Sequence, residues 1–79
     1  MNFGKWVECR LEMVKKSSYQ LEIDADLSKG SIYRWTAERA NPRLDTFIKA
    51  VRQLAEYSGE SLDSLLIEAM KNTKEYNNE

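Results

Sequence analysis

Lys29, Arg34, Arg39 and Arg43, with Tyr33 among them, are the residues whose types and spacing suggest chemistry. That chemistry is the binding of phosphate, for which local positive charge matters more than a basic whole. The chain carries a net charge of −1, but residues 29–52 hold six of its twelve Lys and Arg and only two of its thirteen acids, a local net of +4. Residues 1–28 and 53–79 stand at −1 and −4. Charge alone leaves two readings open, a phosphate-binding face or an ordinary solvated one. Catalysis is poorly served. The sequence has no histidine, the commonest general base and metal ligand, and a single cysteine, Cys9. A thiol dyad, a zinc site and an internal disulfide are therefore not expected. Gly4, Gly30 and Gly59 are scattered and form no phosphate loop. The expectation is a protein that is not an enzyme and uses neither cofactor nor metal.

The elements that must position these residues read as helices throughout. Seventy-nine residues suffice for one domain, expected over 1–74 with a polar tail at 75–79. A first helix is predicted over Phe3 to Lys16, with Val7, Leu11 and Val14 on one face and Trp6, Cys9 and Met13 beside it. Ser17 followed by Gln20 is a capping-box pattern, opening a short helix from Ser18 to Asp24 with Leu21 inward. Ala25, Asp26 and Leu27 separate it from a second cap at Ser28 and a helix from Lys29 to Thr36, with Ile32 and Trp35 inward. Two short capped helices so spaced follow the helix-turn-helix plan, here over about 18–36, and leave Lys29, Gly30, Tyr33 and Arg34 outward. Asn41-Pro42 ends a loop. A fourth helix is expected over Leu44 to Tyr57, with Leu44, Phe47, Ile48, Val51, Leu54 and Ala55 on its inner face and Ser58-Gly59 as the stop. Ser61 caps a fifth, to Thr73, with Leu62, Leu65, Leu66, Ala69 and Met70 inward and Ile67 off that face.

Leu21, Leu27, Ser28 and Ile32 fall in the register of the phage repressor and Cro-like family, often called XRE-type, and the stretch from Leu21 to Trp35 resembles its helix-turn-helix. Asn41-Pro42, Leu44, Asp45, Thr46, Phe47 and Leu54 resemble its fourth helix, and Ser61-Leu62-Asp63-Ser64-Leu65 its fifth. The likeness covers residues 3 to 70. It departs at Glu22, where the family has alanine, and at Asp26, where it has the turn glycine; Asp tolerates the left-handed conformation. Ser18 stands for a phosphate-gripping glutamine, Thr36 for a buried glutamate and Glu38 for a glycine. Residues around 55–59 lengthen the fourth helix by about a turn.

The resemblance implies an all-α, five-helix, lambda-repressor-like domain that binds double-stranded DNA. The helix after Ser28 would lie in the major groove. Lys29 would read guanine or hold phosphate, and Arg34 would make the two-pronged contact to guanine O6 and N7. Tyr33 would stack on a sugar or touch a thymine methyl, and Gly30 would allow close backbone approach. Ser17, Ser18, Gln20, Ser28, Ser31, Arg39 and Arg43 are the phosphate candidates. The implied protein is a transcriptional regulator, a repressor, of bacterial, phage or plasmid origin. It would be a homodimer on a two-fold symmetric operator, paired through the fifth helix or the Trp6, Cys9 and Met13 stripe. The competing expectation is a helix-turn-helix interaction module, such as an antitoxin or a partner of a larger regulator. An accessory DNA-bending role would call for apolar wedges, and none is obvious. No apolar run approaches the roughly 18 residues of a membrane span, and the N-terminus lacks a signal layout. The expected location is the cytoplasm, at the nucleoid through DNA.

Overall fold

The structure, a computed structural model, describes residues 2–73. Its five helices are α1 (Phe3–Val14), α2 (Ser18–Asp24), α3 (Ser31–Thr36), α4 (Leu44–Ser58) and α5 (Leu62–Asn72). Among the described residues there is no strand, and no helix is long and apolar enough to cross a membrane. The expected domain end at 74 and the tail at 75–79 lie outside them. The radius of gyration is 11.2 Å, near the value of about 11 Å for a single folded domain of this length.

Each helix starts on a local signal where the sequence offers one. Asn2, Ser17 and Ser61 accept bonds from the backbone N–H groups of Lys5, Gln20 and Ser64. Only half of the capping box at Ser17 forms. Gln20 turns away from the cap and donates its amide to Asp24 at 2.9 Å. The helix ends share another device. Lys15, Asp26 and Glu38 adopt left-handed φ of 58°, 57° and 60° after α1, α2 and α3, and Gly59 does so after α4 at 72°. At each point the following N–H reaches five residues back: Lys16 to Leu11, Leu27 to Glu22, Arg39 to Arg34 and Glu60 to Ala55. This is the Schellman closure, which favours glycine because a Cβ is strained there. Asp26 thus takes the turn conformation expected of it.

The core gathers Trp6, Val7, Leu11, Leu21, Ile32, Trp35, Phe47, Val51, Leu54, Leu65 and Ala69 around Phe3, which is fully buried. The Phe3 ring lies 4.8 Å from that of Phe47 and 5.2 Å from that of Trp35, centroid to centroid, within the range of favourable aromatic pairs. The predicted faces hold in mid-helix and fail at the ends. Leu44 and Met70, expected inward, are 70% and 49% exposed, because the helices reach past the core there. Val14 is half-buried, and the side stripe of α1 divides, with Trp6 buried and Cys9 and Met13 exposed. Ile67 is exposed, as expected.

Two polar clamps fix the packing. Arg10 is buried and pairs with Glu60 and, at 3.2 Å, with Glu68, whose same carboxylate oxygen accepts from Trp6 Nε1 at 3.2 Å. These contacts tie α1 to α5 and to the turn before it. Tyr57 near the end of α4 donates its hydroxyl to Asp24 of α2, and the Lys16 ammonium sits 5.1 Å from the Tyr57 ring centroid. Burial first, and then the Asp24 carboxylate, pushes the Tyr57 phenol above its usual range; the bond from Tyr57 is the main cause holding Asp24 below its own.

Candidate nucleic-acid interface

α3 is six residues long, and its anchoring decides what it shows. Ile32 and Trp35 are buried, which turns Tyr33, 62% exposed, and Arg34 outward. The Arg39 guanidinium lies 5.9 Å from the Tyr33 ring centroid, so the residue after the α3 closure covers the tyrosine. Arg34 folds back along its own helix. It donates to the Lys29 carbonyl at 3.2 Å and to Ser31 Oγ at 3.4 Å. The guanidinium therefore waits at the N-terminal end of α3. A side chain at position 30 would meet it, since a Cβ there would lie 3.3 Å from Arg34 Nη1.

The start of α3 differs from expectation. The helix begins at Ser31, not Lys29, and its cap is Gly30 at φ 82°, not Ser28. Gly30 is thus required by its left-handed backbone. The missing side-chain cap comes from across the turn. Glu22, buried on α2, accepts from the Gly30 N–H at 3.1 Å and from the Ile32 N–H at 3.4 Å. Its carboxylate meets the positive end of the helix and locks α2 to α3. The N–H groups of Gly30 and Ile32 are thereby occupied, and α3 presents side chains to its surroundings. Glu22→Ala, although alanine is the residue of the resembled family, is expected to lower stability by about 1–2 kcal/mol, since it strands both donors. Urea unfolding, with amide exchange at Ile32, measures this; a gain in stability would show that desolvation of the carboxylate outweighs its bonds.

Beside α3 runs a cleft of about 280 Å³, walled by the turn, α3, the 37–43 loop and α4. Ser28, Ser31, Arg34, Arg43, Thr46 and Lys49 border it, with Asp26 as its acid. Arg43 is exposed and lies 3.8 Å from Asp45, a weak surface pair. Lys49 reaches from α4 to the turn, 3.4 Å from the Asp26 carbonyl and 3.8 Å from its carboxylate. Lys49 belongs to the basic segment of the sequence, but its place on α4 gave no reason to single it out.

The structure brings some predicted residues together and disperses others. Ser28, Ser31, Arg34 and Arg43 share the cleft, and Tyr33 pairs with Arg39. Ser31 is buried and donates its hydroxyl to the Ser28 carbonyl at 2.6 Å. Lys29 is exposed and borders a small apolar recess with Tyr19, Ile23 and Leu27. Ser18 lines a separate groove along α1 with Lys5, Cys9 and Lys16, while Ser17 and Gln20 serve the α2 cap and Asp24. The start of α2 is therefore a capped helix end. No group of three or more His, Cys, Asp or Glu placed to hold a metal occurs among the described residues. No family model, curated protein or solved structure matches the chain.

Proposed function

We propose that this chain is a lambda-repressor-like helix-turn-helix protein that reads double-stranded DNA as a transcriptional regulator, a repressor acting as a homodimer on a two-fold symmetric operator. The observation that carries this reading is the pairing of a short, firmly seated helix with the groups it displays. Ile32 and Trp35 fix α3, Tyr33 and Arg34 project from it, and Arg43 and Lys49 stand in the adjoining cleft. A planar guanidinium on an exposed helix matches the guanine edge in the major groove, and cations beside it match the phosphates that set the register. Glu60 and Glu68 are held away from this face by Arg10, and Asp24 by Tyr57; the acids beside it are Asp26, at the cleft, and Asp45, next to Arg43. One such helix spans too few base pairs for useful specificity, which is why the reading includes two copies.

Selection from a randomised duplex pool at low salt tests the reading. The expected product is a motif with two-fold symmetry and half-sites about one helical turn apart. No enrichment at low salt overturns it and favours the interaction module. One observation leans that way, the exposed Tyr19 and Ile23 beside Lys29 on the face of α2.

A further inference from the structure

The cleft between α3 and α4 holds more positive charge than its role as a gap between helices explains. Arg43 enters from the loop and Lys49 from α4. The hydroxyl-bearing Ser28 and Thr46 lie on its opposite borders, in the turn before α3 and in the first turn of α4. Neither cation is tied down by a strong partner. Among the described residues Arg43 pairs with Asp45 at 3.8 Å, both side chains being well exposed, 87% and 67%. Lys49 has Asp26, whose backbone carbonyl accepts from it at a long 3.4 Å and whose 98% exposed carboxylate stands 3.8 Å away. Pairs of that length and exposure contribute little and exchange readily.

We propose that this cleft seats one phosphodiester of the DNA backbone, held by Lys49 and Arg43, and that Asp26 occupies the Lys49 ammonium until the phosphate arrives. The proposal rests on the DNA-reading function above and deepens it by naming a contact that also orients α3. A phosphate in the cleft would lie alongside Arg34 on the α3 wall, leaving that guanidinium for a base. Lys49 bridges to the turn itself, so its engagement sets the height of α3 over the groove. Asp26 opposes the phosphate by charge and releases Lys49 to it, which makes Asp26 a brake on affinity.

Two variants test this in opposite directions. Asp26→Asn keeps a residue tolerant of the left-handed backbone at φ 57° while removing the opposing charge. Both variants and the parent are titrated against a fluorescein-labelled random-sequence duplex over a series of salt concentrations, with circular dichroism confirming the fold. Lys49→Gln is expected to lower the salt slope by about 1 per subunit, and to weaken all sequences alike. Asp26→Asn is expected to tighten binding by roughly threefold at low salt, with the gain fading as salt screens it. Unchanged binding by folded Asp26→Asn, or an unchanged slope for Lys49→Gln, with the parent still binding duplex, overturns the phosphate seat and leaves the DNA reading standing. No salt-dependent binding by the parent overturns both.

Discussion

Gly4→Ala is expected to destabilise the protein by about 2–3 kcal/mol, the cost of forcing bulk into a packed interface. For a domain of this size the midpoint of thermal unfolding would fall by about 10–20 °C. The reason is where α1 crosses the end of α3. A Cβ on Gly4 would lie 2.3 Å from the Thr36 backbone nitrogen and 2.7 Å from its Cα. Those are backbone atoms and cannot swing aside as a long side chain would. They are pinned from both sides, because Asn2 caps α1 and donates its amide to the Thr36 carbonyl at 3.1 Å. Moving Thr36 also disturbs the closure at Glu38 and Arg39, and with it the Tyr33–Arg39 contact. An exposed helical glycine gives the opposite sign, since alanine is the better helix former by up to about 1 kcal/mol. Thermal unfolding followed by circular dichroism therefore decides by direction alone: a raised midpoint means that α1 and α3 do not approach this closely. Thr36→Val, which replaces a buried hydroxyl lacking a partner among the described residues by a methyl of similar size, is the companion that removes the unmet polar group and leaves the backbone contact as it is.

What could be read from the residues alone follows the range of each interaction. Periodicity reports a face, so Phe47, Val51 and Leu54, or Leu21 with Ile32, were legible. So was the outward display of Tyr33 and Arg34, because they flank the inward Ile32 and Trp35. Periodicity does not say where a helix outruns the core, which is why Leu44 and Met70 were misplaced. Helix ends were legible at Ser58-Gly59, where glycine advertises the left-handed residue. The same closure was hidden at Lys15, whose side chain gives no hint of it. Non-local partners were beyond reach. Glu22 looked like a departure from a small-residue position, yet it supplies the cap that Ser28 was expected to provide, eight and ten residues along the chain. Arg10 and Glu68 are 58 residues apart, and no local pattern couples them. The candidate site divided the same way. Arg34 announced itself on a short helix between core anchors, whereas Lys49 matters only once α4 is folded against the turn.

The second large effect concerns Arg34 and separates reading a base from merely carrying charge. In a dimer on a symmetric operator each copy of Arg34 makes one contact, and each is worth about 1–3 kcal/mol of discrimination. Arg34→Ala is therefore expected to weaken the selected operator by roughly thirtyfold or more, and to erase the preference at one base in each half. Little stability should be lost with it, since the bonds from the guanidinium to the Lys29 carbonyl and Ser31 Oγ lie at or near the surface. Arg34→Lys is the sharper variant. It keeps the positive charge, so binding to random duplex and its salt slope should stay near the parent's. A single ammonium cannot reproduce the fork that engages O6 and N7 together, so the operator preference should still fall. If Arg34→Lys instead leaves the preference intact, or Arg34→Ala weakens every duplex equally, Arg34 is a phosphate contact and base reading must come from Tyr33 or Lys29. The position of Gly30 supports the first outcome. The guanidinium lies over a residue with no side chain, at the end of α3 that would enter the groove first on the proposed reading, and it can extend from there without moving the helix that carries it.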